Sequence, residues 1–199
     1  MNPLAIMLLT FAAGAGEAGP IDLSGAVVIT RGERASEVEG TAATVLVEEV
    51  EKRTGIRWKI AANLPGDAPA IVVAASLDAA ALSQAVPKQV RDGLPALRAE
   101  GYRVFSDTGG KRPIVWTVGA DARGALFGVG HLLRKLEMRQ GSVRLRSPID
   151  VSISPAYRLR GHQLGYRARA NSYDAWDAKQ YEQYIRELAI FGANAVENI

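Results

Sequence analysis

Short apolar runs and longer amphipathic repeats alternate along most of this chain. The apolar runs are rich in β-branched residues and are bounded by glycine, proline or polar residues, a pattern that predicts buried strands. They occupy residues 26–30, 70–75 and 114–118, and strands are also predicted over residues 58–61 and over the alternating residues 101–106. A Gly-Gly turn separates 101–106 from 114–118, which are therefore predicted to form a hairpin. Residues 143–145 and 149–153 are predicted to be short strands or extended linker.

The first helix is predicted over residues 36–54. Ser36 and Glu39 have the spacing of a capping box, in which the two side chains satisfy free backbone donors at the start of a helix. Apolar residues then recur at helical spacing, and Gly55 ends the repeat.

A second helix is predicted from Asp121, as N-cap, to about Glu137. Residues 78–98 are rich in alanine and broken by prolines, which predicts short helices. Residues 20–153 are thus predicted to form an α+β domain, with the boundary at Ser154 and Pro155.

The remaining residues, 154–199, have the pattern of a βαβ unit. A strand is predicted from Tyr157, a helix from Asp177 to Gly192 and a second strand from Asn194. A helix that leads by a short return into a second strand joins two parallel strands, as in the first repeat of a (β/α)8 barrel. The apolar stripe of the helix, predicted to be buried, is Tyr181, Tyr184, Ile185, Leu188 and Phe191.

Candidate binding residues lie on the first of these strands. Arg158, Arg160 and His162 alternate, which predicts that they share one face. Arg160 and His162 are near the end of the strand where barrel active sites lie, so both are candidate substrate ligands. The planar guanidinium of Arg160 suits sugar hydroxyls or a carboxylate. The alternative is a structural ion pair, which fits Arg158 better than Arg160.

Other chemical signals are weaker. Tyr173 and Trp176 precede the last helix and are either aromatic platforms or, for the residue next to the N-cap, a hydrophobic staple. Glu197 is a candidate to point into the site, and His131 is predicted to be a half-buried structural residue. The glycines between 119 and 130 lack the spacing of a dinucleotide loop, so close helix-on-sheet packing is predicted instead.

Composition narrows the function classes. The 199 residues carry a formal net charge of +3 without any run of Lys or Arg, so no nucleic-acid partner is predicted. There is no cysteine, which removes disulfides and thiolate chemistry. The apolar run 4–13 has the length of a signal-peptide core and is too short to cross a membrane. Residues 1–19 are predicted to be a cleaved leader, and the protein to be secreted or periplasmic without membrane insertion.

The order of several motifs resembles a known class of enzyme. These motifs are GYRV at 101–104, IVWTVGAD at 114–121, RGALFGVGHLL at 123–133, ID at 149–150 and YRLRG at 157–161. Together they resemble the N-terminal half of exo-acting glycoside hydrolases, namely β-N-acetylhexosaminidases of family twenty and α-glucuronidases of family sixty-seven. The resemblance implies a hexosaminidase-like α+β sandwich followed by the first βαβ unit of a truncated TIM barrel.

The resemblance also implies a function. The parent would hydrolyse terminal sugars of poly- or oligosaccharides, with a carbohydrate substrate and no cofactor. The arginine of the Arg160-Gly161 pair matches the hexosaminidase arginine that holds sugar hydroxyls, but Gly165 stands where that family usually has an aspartate. The catalytic acidic pair is expected beyond residue 199, so the chain alone is expected to be inactive. The alternative is a non-catalytic carbohydrate-binding or scaffold module. The oligomeric state is not indicated.

Overall fold

The structure is a computed structural model that describes residues 19–77, 82, 85–164 and 175–198. Residues 1–18 of the predicted leader lie outside these residues, as do Tyr173 and Gly165. In chain order the strands are β1 Ile21–Asp22, β2 Val27–Ile29, β3 Lys59–Ala61, β4 Ala70–Ala74, β5 Tyr102–Asp107, β6 Ile114–Gly119, β7 Leu136–Arg139, β8 Ser142–Leu145, β9 Asp150–Ile153, β10 Gly161–Leu164 and β11 Ala195–Asn198. The α-helices are α1 Glu37–Thr54, α2 Lys88–Gly93, α3 Ala122–Leu133 and α4 Ala178–Ile190.

A six-stranded mixed sheet forms the centre of the first domain. Its strand order is β3-β2-β4-β6-β5-β9, and the first four strands are mutually parallel. The predicted hairpin is confirmed, because β5 pairs antiparallel with β6. Strand β9 pairs antiparallel with β5, which resolves residues 149–153 as strand rather than linker.

Both faces of this sheet are buried, as the unbroken apolar runs predict. Val28 and Ile71 join one core with side chains of α1 and α3. Ile29 and Val72 point to the other face and join a second core with Val90 of α2. Alternation along each strand therefore supplies two cores from one run of β-branched residues.

The start and end of α1 follow the sequence closely. Ser36 accepts a hydrogen bond from the amide of Glu39, and the Glu39 side chain accepts one in return from the amide of Ser36, so the capping box is confirmed. Gly55 has φ 73°, a left-handed conformation that glycine adopts without steric cost.

Helix α3 packs closely on the sheet through its glycines, as expected. A Cβ on Gly128 would lie 2.8 Å from Cγ2 of Thr117 in β6, and one on Gly124 would overlap the carbonyl oxygen of Gly101. Small residues therefore set the separation of helix and sheet, and the nucleotide-loop reading gains no support.

The predicted end of α3 was wrong. The helix stops at Leu133, and Leu136 begins β7, which pairs with β8 in a second, three-stranded sheet of order β1-β8-β7. Leu136 is buried in the core all the same. Its side chain fits the helical repeat and the strand equally well, and pairing with a strand across the turn at Gly141 decides between them.

The βαβ prediction for the last part of the chain is confirmed. Strands β10 and β11 are parallel, with Gly161 opposite Ala195 and Gln163 opposite Glu197, and α4 connects them. The strand begins at Gly161 rather than Tyr157, however. The carbonyl of Arg160 still accepts from the backbone amides of Asn194 and Ala195, but no described strand pairs with residues 157–159, and the side chains of Tyr157 and Leu159 are exposed.

The buried stripe predicted for α4 was wrong in part. Ile190 is buried, whereas Ile185 is 50% and Phe191 73% exposed. Helix α3 packs against the Ile190 end of α4, and the neighbouring elements leave Ile185 and Phe191 largely uncovered. A helical repeat predicts which face is apolar, but the neighbouring elements decide whether that face is buried.

Candidate functional site

One face of the β10–β11 pair packs against helix α4, and the other is directed away from it. His162 contacts Tyr184 of α4, and Val196 lines a groove with Ile185 and Leu188 of the same helix. His162 and Val196 are opposite each other in the parallel register, so both lie on the helix-facing side. Alternation then places Gln163 and Glu197, which are also register partners, on the face away from α4.

Gln163 and Glu197 are therefore the candidate site. Both side chains are exposed, and both lie near the carboxyl ends of parallel strands, where α/β proteins bind ligands. An amide and a carboxylate side by side supply donors and acceptors suited to hydroxyl groups. Sequence reasoning named Glu197 without fixing its direction and missed Gln163. Its signal was present: Gln163 alternates with His162 and faces the opposite way.

His162 belongs to an aromatic cluster against α4. Its Nδ1 is hydrogen-bonded to the hydroxyl of Tyr184, and the two rings meet edge to face with centroids 5.8 Å apart. The ring centroid of Trp176 lies 5.2 Å from that of Tyr184 and 5.5 Å from that of Tyr181. His162 is exposed, but its ring lies on the opposite face of the strand from Gln163.

Trp176 forms the hydrophobic staple. It directly precedes Asp177, the N-cap of α4, and contacts Tyr181, the fourth residue of the helix. Asp177 and Gln180 complete the predicted capping box. The staple alternative is thus confirmed for Trp176, and the contact fixes the direction in which the chain enters the helix.

Arg160 lies just before the amino end of β10. Its Nε donates to the carbonyl of Gly192 at 2.8 Å, its Nη1 to the carbonyl of Tyr157 at 2.8 Å and its Nη2 to Glu100 at 2.7 Å. The guanidinium also lies 5.2 Å from the centre of the Phe127 ring. Strand β10 begins at Gly161, so Arg160 lies just outside it, and a face shared by Arg160 and His162 stays a prediction. A sugar-binding role for Arg160 stays a prediction, and its present contacts are those of the ion-pair alternative.

The ion pair was expected for Arg158 rather than Arg160, and this assignment was wrong. The Arg158 side chain is exposed and makes no hydrogen bond or ion pair to any residue that the structure describes. Instead, Arg160 forms an ion pair with Glu100, a residue that the sequence analysis did not single out and that lies 60 positions away. The distance along the chain explains why no local pattern indicates this pair.

Glu100 and Asn194 join the two parts of the chain. The Asn194 amide nitrogen donates to both carboxylate oxygens of Glu100, at 3.2 and 2.9 Å, and its oxygen accepts from the amide of Arg160 at 2.9 Å. Glu100 is 6% exposed and has φ 61°, a strained conformation for a side chain of this size. A buried carboxylate of the α+β domain thereby anchors the amino ends of β10 and β11.

Helices α3 and α4 form a second junction between the same two parts. A Cβ on Gly130 would lie 2.8 Å from two backbone carbons of Ile190, and the Arg134 guanidinium donates to the Ile190 carbonyl. Farther along α4, Arg186 pairs with Glu48 of α1. The βαβ unit is therefore held against the domain by backbone contact and by ion pairs.

His131 is half-buried next to this junction, as predicted. Its Nδ1 is 3.2 Å from the hydroxyl of Tyr102, and its buried Nε2 has no hydrogen-bond partner in the described part of the chain. Burial, and secondarily the charges of Arg134 and Lys135, lower the pKa of His131 below its usual value. The residue is suited to staying neutral within the packing.

Searches for two other kinds of site were negative within the described residues. No group of three or more His, Cys, Asp or Glu residues there is arranged to hold a metal ion. None of the helices in these ranges has the length and apolar character needed to cross a bilayer.

Comparison with known proteins finds no matching family model and no matching curated protein. Solved structures do match. One is a family GH115 4-O-methyl-α-glucuronidase described as having specificity for decorated arabinogalactans, with 14% identity and a TM-score of 0.65 over 91% of this chain. Others are a GH20 exo-β-N-acetylglucosaminidase from Vibrio harveyi, with 13% identity, a TM-score of 0.59 and 91% of this chain covered, and a GH20 β-N-acetylhexosaminidase from Streptomyces coelicolor, with 18%, 0.56 and 92%.

The chain shares its fold with part of these glycoside hydrolases. It spans 26%, 23% and 32% of their respective lengths. The resemblance to β-N-acetylhexosaminidases and α-glucuronidases that the sequence motifs indicate is therefore confirmed at the level of the fold, although the matching α-glucuronidase belongs to family GH115 and not to family sixty-seven. At these identities the match carries no residue roles.

Proposed function

We propose that this chain is the N-terminal portion of a secreted glycoside hydrolase that removes terminal sugars from poly- or oligosaccharides. The observation that carries the proposal is the combination of an α+β domain with a docked, parallel βαβ unit, a combination shared with glycoside hydrolases of known structure. In this proposal β10, α4 and β11 are the first unit of a (β/α)8 barrel. The exposed apolar side chains of α4 support it, because further barrel elements would cover them.

The chemistry proposed for the parent is hydrolysis assisted by a pair of carboxylates. That pair is expected beyond residue 199, as the family resemblance implies. Gln163 and Glu197 would face the barrel interior and hydrogen-bond to sugar hydroxyls. Neighbouring donors and acceptors on rigid strands position a substrate with little loss of side-chain freedom.

The first experiment compares two proteins, this chain and a longer product of a reading frame that continues past Ile199. Both are assayed with aryl β-N-acetylglucosaminides and aryl α-glucuronides. The longer protein should release the aryl group, and this chain should release none above a control without enzyme. Hydrolysis by the 199 residues alone would refute the proposed division. A longer protein that binds oligosaccharides without cleaving them would favour a non-catalytic carbohydrate-binding module.

The second experiment compares two adjacent residues whose side chains lie on opposite faces of β10. In the longer protein, Gln163→Ala should lower kcat/KM by about tenfold, the effect of losing one hydrogen bond of about 1.4 kcal/mol to substrate. His162→Ala should lower thermal stability and leave kcat/KM nearly unchanged, because its ring bonds to Tyr184. If His162→Ala causes the larger kinetic loss, His162 is the sugar ligand and the proposed orientation of the barrel is wrong.

Export is tested separately by mass spectrometry of protein recovered from the periplasm or medium. A new N-terminus between about Gly14 and Ile21 is expected, since small residues near Ala15 and Ala18 follow the apolar run. An intact Met1 on a cytoplasmic product would contradict secretion.

A further inference from the structure

A cavity of about 490 Å³ lies where residues 155–160 pass the turn that precedes β5. Its charged and amide side chains are Arg98, Arg123, Arg158, Arg160, Glu100 and Asn194. Among the described residues, four arginines against one glutamate give this lining a net charge of +3. This concave surface is therefore strongly cationic.

Three of the four arginines have donors to spare. Arg158 makes no side-chain hydrogen bond within the described residues, and Arg98 donates through one nitrogen to the carbonyl of Pro155 at 3.0 Å. Arg123 pairs with Glu100 at 3.1 Å but remains 62% exposed. Each guanidinium carries five N–H donors, so most of the donors of these three side chains are available to a ligand.

The Glu100 carboxylate is already engaged. It accepts from Arg160 and Asn194, pairs with Arg123 and is almost fully buried, so it cannot also satisfy the remaining arginine donors. The amide of Glu100 donates to Asp121 at 2.8 Å, which helps to hold the strained turn that carries Arg98. The rim of the cavity is therefore fixed by contacts beneath it, while most of its outer guanidinium donors have no acceptor among the described residues.

We propose that this cavity binds an oxyanion group, a phosphate or a sulfate, either free or attached to a sugar. Planar guanidinium groups match tetrahedral oxyanions with paired, charge-assisted hydrogen bonds. Like charges gathered in a concavity also repel one another, and a bound anion relieves that repulsion. This inference does not rest on the glycosidase proposal, since it concerns the amino end of β10 and not the face that carries Gln163.

Isothermal titration calorimetry of the full 199-residue chain tests the site with inorganic phosphate and inorganic sulfate. Near neutral pH and at low ionic strength, where screening is weakest, saturable one-site binding is expected. Arg158→Ala should weaken it by about tenfold, the size of one charge-assisted hydrogen bond. Because Arg158 has no described partner, its removal should leave the fold intact, which circular dichroism checks.

Arg146→Ala is the matched control. Arg146 is 82% exposed, pairs with Glu137 and does not line the cavity, so its removal subtracts the same charge elsewhere. Affinity should be unchanged in this variant. Equal weakening by both substitutions would reduce the effect to overall charge and overturn the proposal, as would the absence of saturable binding.

Comparing glucose 6-phosphate, inorganic phosphate and glucose distinguishes a free oxyanion from one that is attached to a sugar. Tighter binding of glucose 6-phosphate than of phosphate, lost in Arg158→Ala, would assign a sugar-borne oxyanion. Equal binding of the two phosphates would assign the free ion. Binding of glucose as tight as that of glucose 6-phosphate would contradict an oxyanion site.

Discussion

Gly130→Ala tests whether close contact between α3 and α4 docks the βαβ unit on the domain. A methyl group at this position would lie 2.8 Å from two backbone carbons of Ile190 and closer still to its carbonyl oxygen. Real Cβ atoms do not approach other atoms so closely. Because the obstructing atoms are backbone, no side-chain rotation can relieve the overlap, and α4 itself must move. The same movement would disturb the hydrogen bond from Arg134 to that carbonyl.

The magnitude follows from two opposing effects. Overpacking costs about 1–3 kcal/mol, and contact with backbone places this site at the upper end. Replacing a helical glycine with alanine gains about 0.5–1 kcal/mol. The net expectation is a loss of about 2 kcal/mol in the free energy of unfolding. Gly40→Ala in α1 is the control, because nothing lies within 4 Å of its added Cβ, and it should show only the gain.

Urea unfolding of the three proteins measures these differences, and hydrogen exchange shows where they arise. Amides of α4 should exchange faster in Gly130→Ala, while those of β4 and β6 in the central sheet should change less. A Gly130→Ala protein as stable as Gly40→Ala would refute the reasoning, since the observed closeness of the helices would then have no energetic consequence.

Three further outcomes are expected. Burial opposes ionisation of Glu39, but its hydrogen bonds lower its pKa from 4.5 to about 2. A carboxyl with a lowered pKa stabilises the fold above pH 4.5, and this contribution of about 3 kcal/mol is lost as the pH falls towards 2; Glu39→Gln should remove that part of the slope in urea midpoints. Arg160→Ala should lower the free energy of unfolding by about 2–4 kcal/mol, because the buried Glu100 loses a partner, whereas Arg158→Ala should change it by less than about 0.5 kcal/mol. An unchanged melting temperature together with a tenfold or greater fall in the catalytic efficiency of the longer enzyme would instead favour sugar binding by Arg160. The pKa of His131 is lowered, so its neutral form stabilises the fold above about pH 6.5 and stability should fall with pH below that value; a His131→Gln protein with the same slope between about pH 7 and 5 would contradict this.

Local patterns in the sequence predicted the elements of the fold well. Both capping boxes, the β5–β6 hairpin and the parallel βαβ unit are present as expected. These features depend on residues only a few positions apart, or on repeats that run through one element. Hydrogen bonding at helix ends and the alternation of side chains involve residues that are close in the sequence, so a local pattern is enough to predict them.

The candidate site depended on tertiary contacts instead. Alternation along β10 separates His162 from Gln163, but only packing against Tyr184 shows which of them faces the helix. Glu197 acquires a direction in the same way, through its register with Gln163. A period-two pattern defines two faces and is symmetric between them, so the element that covers one face decides what the other can bind.

The ion pairs show the same division. Arg160 and Glu100 lie 60 positions apart, and nothing local to either residue indicates the other. The sequence determined that charged residues border the βαβ unit. The folded chain decided which of them are used: Arg160 is held beneath the junction by Glu100, and Arg158 is left at the surface of an arginine-lined cavity. The physical reason is that electrostatic pairing acts through space, over a few ångströms, and only folding brings these charges within that distance.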